Sequence, residues 1–262
     1  MTELIKINNR KDIEILSMIG QSKPFPDHYH KHFCISLITE GIECIEINKK
    51  RIYSEKNHTS ITNPDEIHAN PLLVHHQKLS FHTIYVPQNV IDEIAGREHV
   101  FFEKRSFLDM QLNSHFLNLI NYTKENQNKL DPSLLEKFLK RLIRHSTKTC
   151  HETNFRFNKD WGKAIKFIDT NLKNTINLDT IAQHCEMDKF KFAKTFKYFC
   201  GMSPMNYVLM NRVFEAKESI SKTTNLTDLA YMYNFTDMAH FSNQFKRFIG
   251  LSPRNYQKTL QD

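Results

Sequence analysis

Two stretches near the C-terminus share one pattern: INLDTIAQHCEMDKFKFAKTFKYFCGMSPMNY at residues 176–207 and TNLTDLAYMYNFTDMAHFSNQFKRFIGLSPRNY at residues 224–256. Their apolar and small residues fall at matching places, 48 or 49 positions apart, and both stretches end in Gly-x-Ser-Pro-x-x-Tyr. The second copy carries one extra residue after its turn. Such internal similarity indicates that one supersecondary unit occurs twice.

Each copy carries the local signals of a helix-turn-helix unit. In the first copy, the small Ala182 lets a second helix cross closely, and Asp188 suits the N-cap of that helix. Phe192 and Phe196, four residues apart, give the second helix a buried face. The Gly-x-Ser-Pro ending provides a left-handed stop, followed by an N-cap and a first-turn proline for the next helix. We therefore predict helix-turn-helix units at 178–199 and 226–248.

The outer faces of the two second helices are predicted to contact DNA. On the first, lysines would bind phosphates or guanine acceptors, and Phe190 would contact a thymine methyl group. On the second, Asn243 is suited to a bidentate contact with adenine. A solvated lysine face without a partner is the alternative interpretation. The predicted contact residues are Lys189, Phe190, Lys191, Ala193, Lys194, Lys197, Met238, Ala239, His240, Asn243, Lys246 and Arg247.

Two such helices in one chain can enter successive major grooves about 34 Å apart. Because the two helices carry different side chains, one monomer should read an asymmetric site. A non-specific nucleoid-type binder is the alternative, since basic helices can hold phosphates without reading bases.

Composition narrows the class of protein. The 262-residue chain has a net charge of +7, of which +5 comes from the 14 basic and 9 acidic residues after position 160, and this favours a polyanionic partner. The sequence has no membrane-spanning run or signal peptide, and its five cysteines form no C-x-x-C pair, so we expect a cytoplasmic protein. No catalytic or nucleotide-binding motif is recognisable, which predicts that the protein is not an enzyme.

The N-terminal part has the pattern of a β-rich domain. Segments 33–40, 42–47, 59–62 and 79–86 show the β-branched enrichment and tight turns of an antiparallel sandwich or barrel. Helices are predicted at 107–125 and 132–144; the apolar stripe of the second either covers the sheet or pairs with a second chain. Polar residues 147–160 predict a linker. The expected fold class is α+β, with domains 1–150 and 161–262 joined through residues 151–160.

The repeat resembles the DNA-binding module of the AraC/XylS family of transcription regulators. The resemblance implies base and phosphate contacts at Phe190, Ala193 and Lys194 in the first unit, and at Met238, Ala239, His240 and Asn243 in the second. Asn234 stands where that family usually has glycine, and Asn also accepts left-handed geometry. The matching pattern is Leu178-x3-Ala182, Phe196-Lys197-x3-Gly201-x-Ser203-Pro204-x2-Tyr207, Arg212-x3-Ala216, Leu229-Ala230, Asn234-Phe235 and Phe241-x3-Phe245-Lys246-x3-Gly250-x-Ser252-Pro253-x2-Tyr256.

The N-terminal half resembles the cupin-like sensing domain of the same family. The resemblance lies in Phe25-Pro26-x-His28-x-His30, the Gly41 turn and Asn63-Pro64-x3-His68. It implies a barrel at about 20–100, helices at about 106–146, a small-molecule effector inside the barrel, and a homodimer through helix 132–144. We predict His28, His30 and His68 as pocket residues. A three-histidine metal site is the alternative, although the glutamate that metal-binding cupins carry after the H-x-H is absent.

The leading prediction is an effector-responsive transcription activator that binds double-stranded DNA and contacts RNA polymerase. It needs no metal or cofactor and has no membrane partner. A cupin-type metalloenzyme or metal sensor with a helical appendage is the alternative.

Overall fold

The chain divides into two units: the first holds residues 1–24 and 29–153, and the second holds residues 25–28 and 154–262. The computed structural model describes residues 2–10, 12–73, 78–147 and 161–260. Within these ranges, strands dominate up to residue 108 and only helices follow. The predicted α+β class with a helical C-terminal region is confirmed.

Two sheets make up the β-rich part. The six-stranded sheet has the order β1-β2-β9-β4-β7-β10, and the four-stranded sheet has the order β3-β8-β5-β6. The strands are β1 (Thr2–Lys6), β2 (Glu14–Gln21), β3 (Phe25–His28), β4 (Phe33–Glu40), β5 (Glu43–Ile47), β6 (Lys50–Ser54), β7 (His58–Thr62), β8 (His68–Asn70), β9 (Leu79–Val86) and β10 (Ser106–Leu108). The predicted strands 33–40 and 79–86 match in full, and 42–47 and 59–62 each differ by one residue at their start.

Three expectations about the β-rich part are corrected. The barrel was expected to begin near residue 20, but β1 and β2 belong to the six-stranded sheet, so it begins at Thr2. The interval between the predicted segments 42–47 and 59–62 contains a further strand, β6, because left-handed Asn48 and Lys49 reverse the chain and Lys50 already pairs with Ile47. Residues 106–108 are a strand paired with β7 and do not belong to a helix.

The six-stranded sheet has two chemically different faces. One face packs with the helices of this unit in a single hydrophobic core, to which Phe33, Ile35, Ile61 and Ile84 contribute. By strand alternation, the opposite face carries polar and titratable side chains. They are Cys34, Ser36, Ser60, Thr62, Thr83 and Tyr85.

Hydrogen bonds join the two sheets across this polar face. The Ser60 hydroxyl on β7 donates to the Glu43 carboxylate on β5, and the Ser54 hydroxyl on β6 donates to Ser106 on β10. The interior between the sheets is therefore lined by polar groups and shielded from water.

Helices α1 (Gln88–Ala95), α2 (Met110–Glu125) and α3 (Pro132–Ile143) cover the apolar face. Helix α2 begins at Met110 because the Asp109 carboxylate accepts hydrogen bonds from the first-turn amides of Gln111 and Leu112. Asp131 caps α3 as predicted. The apolar stripe of α3 lies in the core of its own chain, so it covers the sheet. Its buried members are Leu135, Phe138, Leu139 and Leu142.

The second unit contains seven helices within the described residues. They are α4 (Gly162–Thr170), α5 (Leu178–His184), α6 (Lys189–Cys200), α7 (Pro204–Glu218), α8 (Leu226–Met232), α9 (Met238–Ile249) and α10 (Pro253–Lys258). The fully buried rings of Phe192, Phe196, Phe241 and Phe245 form its core. The predicted linker 151–160 lies outside the described residues. None of the helices described in either unit has the length and apolarity that a bilayer crossing requires.

Candidate functional site

The first repeat folds into two helices joined by a tight turn. Asn177 caps α5, and Asp188 caps α6 by accepting the amide hydrogens of Phe190 and Lys191 at 3.0 Å. Inside the turn, the Met187 amide donates to the Ala182 carbonyl at 3.0 Å, and Glu186 adopts a left-handed φ of 55°. The predicted caps and crossing are confirmed, while Met187 is only half-buried beneath the turn.

The second repeat builds the same turn from different residues. The Phe235 amide donates to the Ala230 carbonyl at 3.0 Å, and Asn234 has a φ of 57°. Asp237 caps α9 through the His240 amide at 2.7 Å. Five residues separate α8 from α9, against four between α5 and α6. The hydrogen-bonded turn has the same length in both repeats, so the extra residue is Thr236, between the turn and the cap of α9, as predicted. The left-handed geometry expected at Asn234 is confirmed.

Helix α6 presents a basic outer face. Lys191, Lys194 and Lys197 are exposed, and Phe190 is 73% exposed. Lys189 differs from these lysines, because its ammonium group lies 3.0 Å from the Asp179 carboxylate on α5. Part of its charge is therefore neutralised within the protein. Ala193 is half-buried on the same helix.

Helix α9 presents a face with fewer charges and more hydrogen-bonding groups. Ala239, Asn243 and Lys246 are exposed, whereas Met238 is half-buried. His240 is half-buried too, and its Nδ1 lies 3.1 Å from the Thr236 hydroxyl. The exposed Arg247 donates to the Gln244 side-chain oxygen at 3.3 Å. The two faces thus bring together all twelve predicted contact residues, six on each helix, and their contact with DNA stays a prediction.

A buried guanidinium connects the repeats. Arg212 on α7 donates from Nε to the Leu172 carbonyl at 2.9 Å and from Nη2 to the Asn174 carbonyl at 2.7 Å. Its Nη1 also lies 3.5 Å from the carbonyl of Asn234, in the turn of the second repeat. Burial lowers the pKa of Arg212 from its usual value. In the sequence, Arg212 was recognised only as part of a family motif. Its structural role could not be predicted, because its hydrogen-bond partners lie 22 to 40 positions away along the chain.

The three predicted pocket histidines fall in different units. His28, on β3, groups with the second unit, whereas His30 and His68 lie in the first. His28 and His68 are each 3% exposed. The His30 ring centroid is 5.5 Å from that of His68 and 5.1 Å from that of Tyr85. The first unit therefore brings His30, His68 and Tyr85 together.

Comparison with known protein families finds a matching domain model for each half of the chain. A family model described as an AraC-like ligand binding domain matches residues 11–143, which is half of the chain, and a helix-turn-helix domain model matches residues 181–259. The chain belongs to the AraC family of transcription regulators. It is accordingly a DNA-binding regulator of transcription, as the repeat predicted.

Relatives of this AraC-type chain are regulators as well. The HTH-type transcriptional regulator YbfI of Bacillus subtilis is 22% identical over 91% of this chain and 89% of its own length. The HTH-type transcriptional activator AarP of Providencia stuartii is 36% identical over 30% of this chain and 59% of its own length. The crystal structure of ToxT from Vibrio cholerae O395, at 11% identity, covers 99% of this chain and 97% of its own with a TM-score of 0.55. That likeness confirms the AraC-type fold.

One buried carboxylate of the barrel was missed. Glu43 accepts hydrogen bonds from Ser60 Oγ at 2.5 Å and from Asn70 Nδ2 at 3.1 Å. Burial raises its pKa to about 7, even though both hydrogen bonds act to lower it. The available signal was alternation along β5, which places Glu43 on the same face as Ile45 and Ile47. An acidic residue that shares a face with two isoleucines is a candidate for the interior.

Proposed function

We propose that this regulator binds an asymmetric promoter site through α6 and α9 and activates transcription in response to a small-molecule effector held by residues 1–150. The duplicated turn carries the proposal. It appears twice in one unit with the same hydrogen bond, and each copy is followed by a twelve-residue helix with no acidic residue and an exposed outer face.

Helices α6 and α9 contribute differently to the proposed DNA binding. The exposed lysines of α6 supply sequence-independent attraction to phosphates, which dominates affinity and depends on salt. Asn243 on α9 supplies an amide that can donate to and accept from one adenine edge in the major groove. Lys246 and Arg247 extend the positive charge at the end of α9. Affinity should therefore depend chiefly on the first unit, and specificity chiefly on the second.

The N-terminal half makes the proposed activity depend on a bound effector. The AraC-like ligand binding match covers the polar interior of the barrel and all three predicted pocket histidines. The relative AarP is named an activator, and one ToxT structure with a TM-score of 0.52 is described as bound to an unsaturated fatty acid. From these two likenesses we infer that this protein is cytoplasmic, is not an enzyme, and recruits RNA polymerase when its effector is bound. A homodimer through helix 132–144 would have to use the charged face of α3, since its apolar stripe is buried in its own chain.

Binding measurements on matched variants test this proposal. A preferred DNA site is first selected from a random duplex library with the full chain. Lys194→Ala should weaken binding to all duplexes alike and reduce the steepness of the salt dependence by about one unit, because one phosphate contact is lost. Asn243→Ala should cost about 1 to 3 kcal/mol at a single base pair and relax the preference there. Lys104→Ala, which removes an exposed lysine from the loop between α1 and β10 in the first unit, is the charge control.

Several results would contradict the proposal. A selected site that is a perfect palindrome would rule out reading by two different helices of one monomer. Equal effects of Lys194→Ala and Lys104→Ala would remove α6 from the interface. Unchanged base preference after Asn243→Ala would show that another side chain reads the sequence.

A further inference from the structure

We propose that the polar interior of the first unit binds a small organic cation, such as a primary amine, whose ammonium group pairs with the Glu43 carboxylate. The inference rests on the proposed function, because it names the chemical class of the effector. The side chains that carry the argument all belong to the first unit.

Glu43 differs from the other buried acidic residues in having no basic partner among the residues described. Glu66 pairs with Arg105 at 2.5 Å, and Asp109 pairs with Arg141 at 2.7 Å. Glu43 is buried to the same degree, at 5% exposure, but the hydrogen bonds to its two oxygens come from a neutral hydroxyl and a neutral amide. A buried carboxylate without a cation is costly, and proteins normally pair it. A ligand can supply this positive charge.

The protonation of Glu43 can change when a cation binds. Burial raises its pKa to about 7, so the neutral acid and the carboxylate coexist near neutral pH. The titratable groups near it on β4 and β9 add no charge there, because burial raises the pKa of Cys34 to about 12 and that of Tyr85 well above its usual value. On β8, the His68 ring donates from Nδ1 to the Glu66 carbonyl at 2.9 Å. A bound ammonium group would stabilise the ionised form, so Glu43 would release its proton to water.

Half-buried side chains near Glu43 leave room for a ligand. Asn70, whose amide donates to Glu43 at 3.1 Å, is half-buried, as are Cys34 and Tyr85. Cys34 and Tyr85 pair with each other across β4 and β9 and point away from the hydrophobic core. Cys34 also pairs with Thr62, two residues from the serine that donates to Glu43. Their accessible surface therefore borders a space on the polar side of the six-stranded sheet.

The surroundings of this space suit the organic part of a cation. The His30 ring centroid lies 5.1 Å from that of Tyr85, and aromatic rings attract cations and pack against carbon chains. Farther along the same face, the buried side chains of Met18, Ile38 and Phe81 lie in register on three neighbouring strands. A ligand with a positive end and an apolar body matches this arrangement, whereas an ionised Glu43 would repel an anion.

Calorimetric titration of the full-length chain tests the class of ligand. The probes are two matched sets that differ in their end group: benzylamine, benzyl alcohol and benzoate, and n-butylamine, n-butanol and butyrate. We expect one amine per chain, bound at least tenfold more tightly than the matched alcohol, because a hydrogen bond to a charged group is worth about tenfold or more in affinity. Amine affinity should rise about tenfold from pH 6 to pH 8, as free Glu43 ionises while the amine stays protonated.

Two charge substitutions on β5 separate the role of Glu43 from a general loss of negative charge. Glu43→Gln keeps the shape of the side chain and should lower amine affinity at least tenfold and abolish its rise with pH. Glu46→Gln removes the same charge from the opposite face of the strand, where Glu46 pairs with Arg51, and should change amine affinity less than twofold. Thermal melting checks that each variant is folded.

The outcomes distinguish this inference from the proposed function. Amines that bind no better than their alcohols, or a folded Glu43→Gln variant that binds amines as tightly as the parent, would overturn the site. DNA affinity of the same samples is measured on the selected duplex. Intact DNA recognition without amine binding would refute this inference alone, and amine binding that depends on Glu43 without DNA recognition would refute the proposed function alone.

Discussion

Glu186 occupies a position in the first turn that its side chain disfavours. Its φ of 55° lies in the left-handed region, where the Cβ of an L-residue is crowded. The side chain is exposed, and its carboxylate forms no hydrogen bond or ion pair with the residues described. Replacing Glu186 by glycine should therefore stabilise the second unit.

The size of this gain follows from two opposing terms. Left-handed geometry costs a residue other than glycine about 1 to 2 kcal/mol. Glycine offsets part of this gain, because it has more backbone freedom in the unfolded chain than glutamate has. The larger entropy loss on folding costs about 0.5 to 1 kcal/mol. The net expectation for Glu186→Gly is a gain of about 0.5 to 1 kcal/mol. In a unit of about 100 residues, this corresponds to a rise of about 2 to 6 °C in Tm.

Two matched variants isolate the backbone effect. Glu186→Gln removes the charge but keeps the strained geometry, so its free energy of unfolding should stay within about 0.5 kcal/mol of the parent. Asn234→Gly changes the equivalent position of the second turn, where the Asn234 amide donates to the Lys173 carbonyl. Losing that bond costs about 1 kcal/mol, so this variant should show no net gain. Urea unfolding and differential scanning calorimetry of the full chain give the values.

A destabilised Glu186→Gly variant would refute the reasoning. Equal gains in stability from Glu186→Gly and Glu186→Gln would also refute it. The gain would then come from removing the negative charge of the carboxylate and not from relieving backbone strain. On DNA, both variants should bind a few-fold more tightly at low salt than the parent, since each removes a negative charge next to α6.

Two predictions concern titratable groups of the first unit. Since burial raises the pKa of Glu43 from 4.5 to about 7, the native state binds a proton that the unfolded chain releases, and stability should fall as pH rises through that interval. Glu43→Gln should abolish this fall in the urea midpoint; an unchanged pH profile would contradict it. Burial acts to raise the pKa of Asp109, but hydrogen bonds from Arg141 and His145 outweigh it and hold that pKa well below its usual range. Asp109→Ala should therefore cost about 3 kcal/mol near neutral pH, clearly more than Asp131→Ala at the cap of α3, and this loss should shrink as pH falls from about 4 towards the depressed native pKa; equal losses in urea unfolding would refute the role of the hydrogen bonds from Arg141 and His145.

Local signals explain what could be predicted from the sequence. Asp188, Gly201 and Ser203 act on neighbouring backbone groups, so their capping roles can be read from adjacent residues. The buried faces of α6 and α9 follow in the same way from phenylalanines spaced four apart. Both repeats were therefore predicted to within a few residues.

Non-local pairing explains what was missed. Phe107 was assigned to a helix because apolar residues follow it at helical spacing, but it pairs with Thr59 on β7, 48 residues earlier. Strands β1 and β2 show no clean alternation, and they are ordered by pairing with each other and with β9. The ion pair between Lys189 and Asp179 also depends on how α5 crosses α6, so it could not be predicted from the sequence.

Under the proposed docking of α6 and α9, the connection made by Arg212 limits how promoters of this regulator can change. One guanidinium donates to two carbonyls of the loop before the first repeat and to one in the turn of the second, so it restrains the two units relative to each other. A single base pair inserted between the two halves of an operator rotates one half by about 34° relative to the other. Point substitutions within either half should therefore be tolerated gradually during evolution, whereas insertions and deletions between the halves should abolish regulation at once.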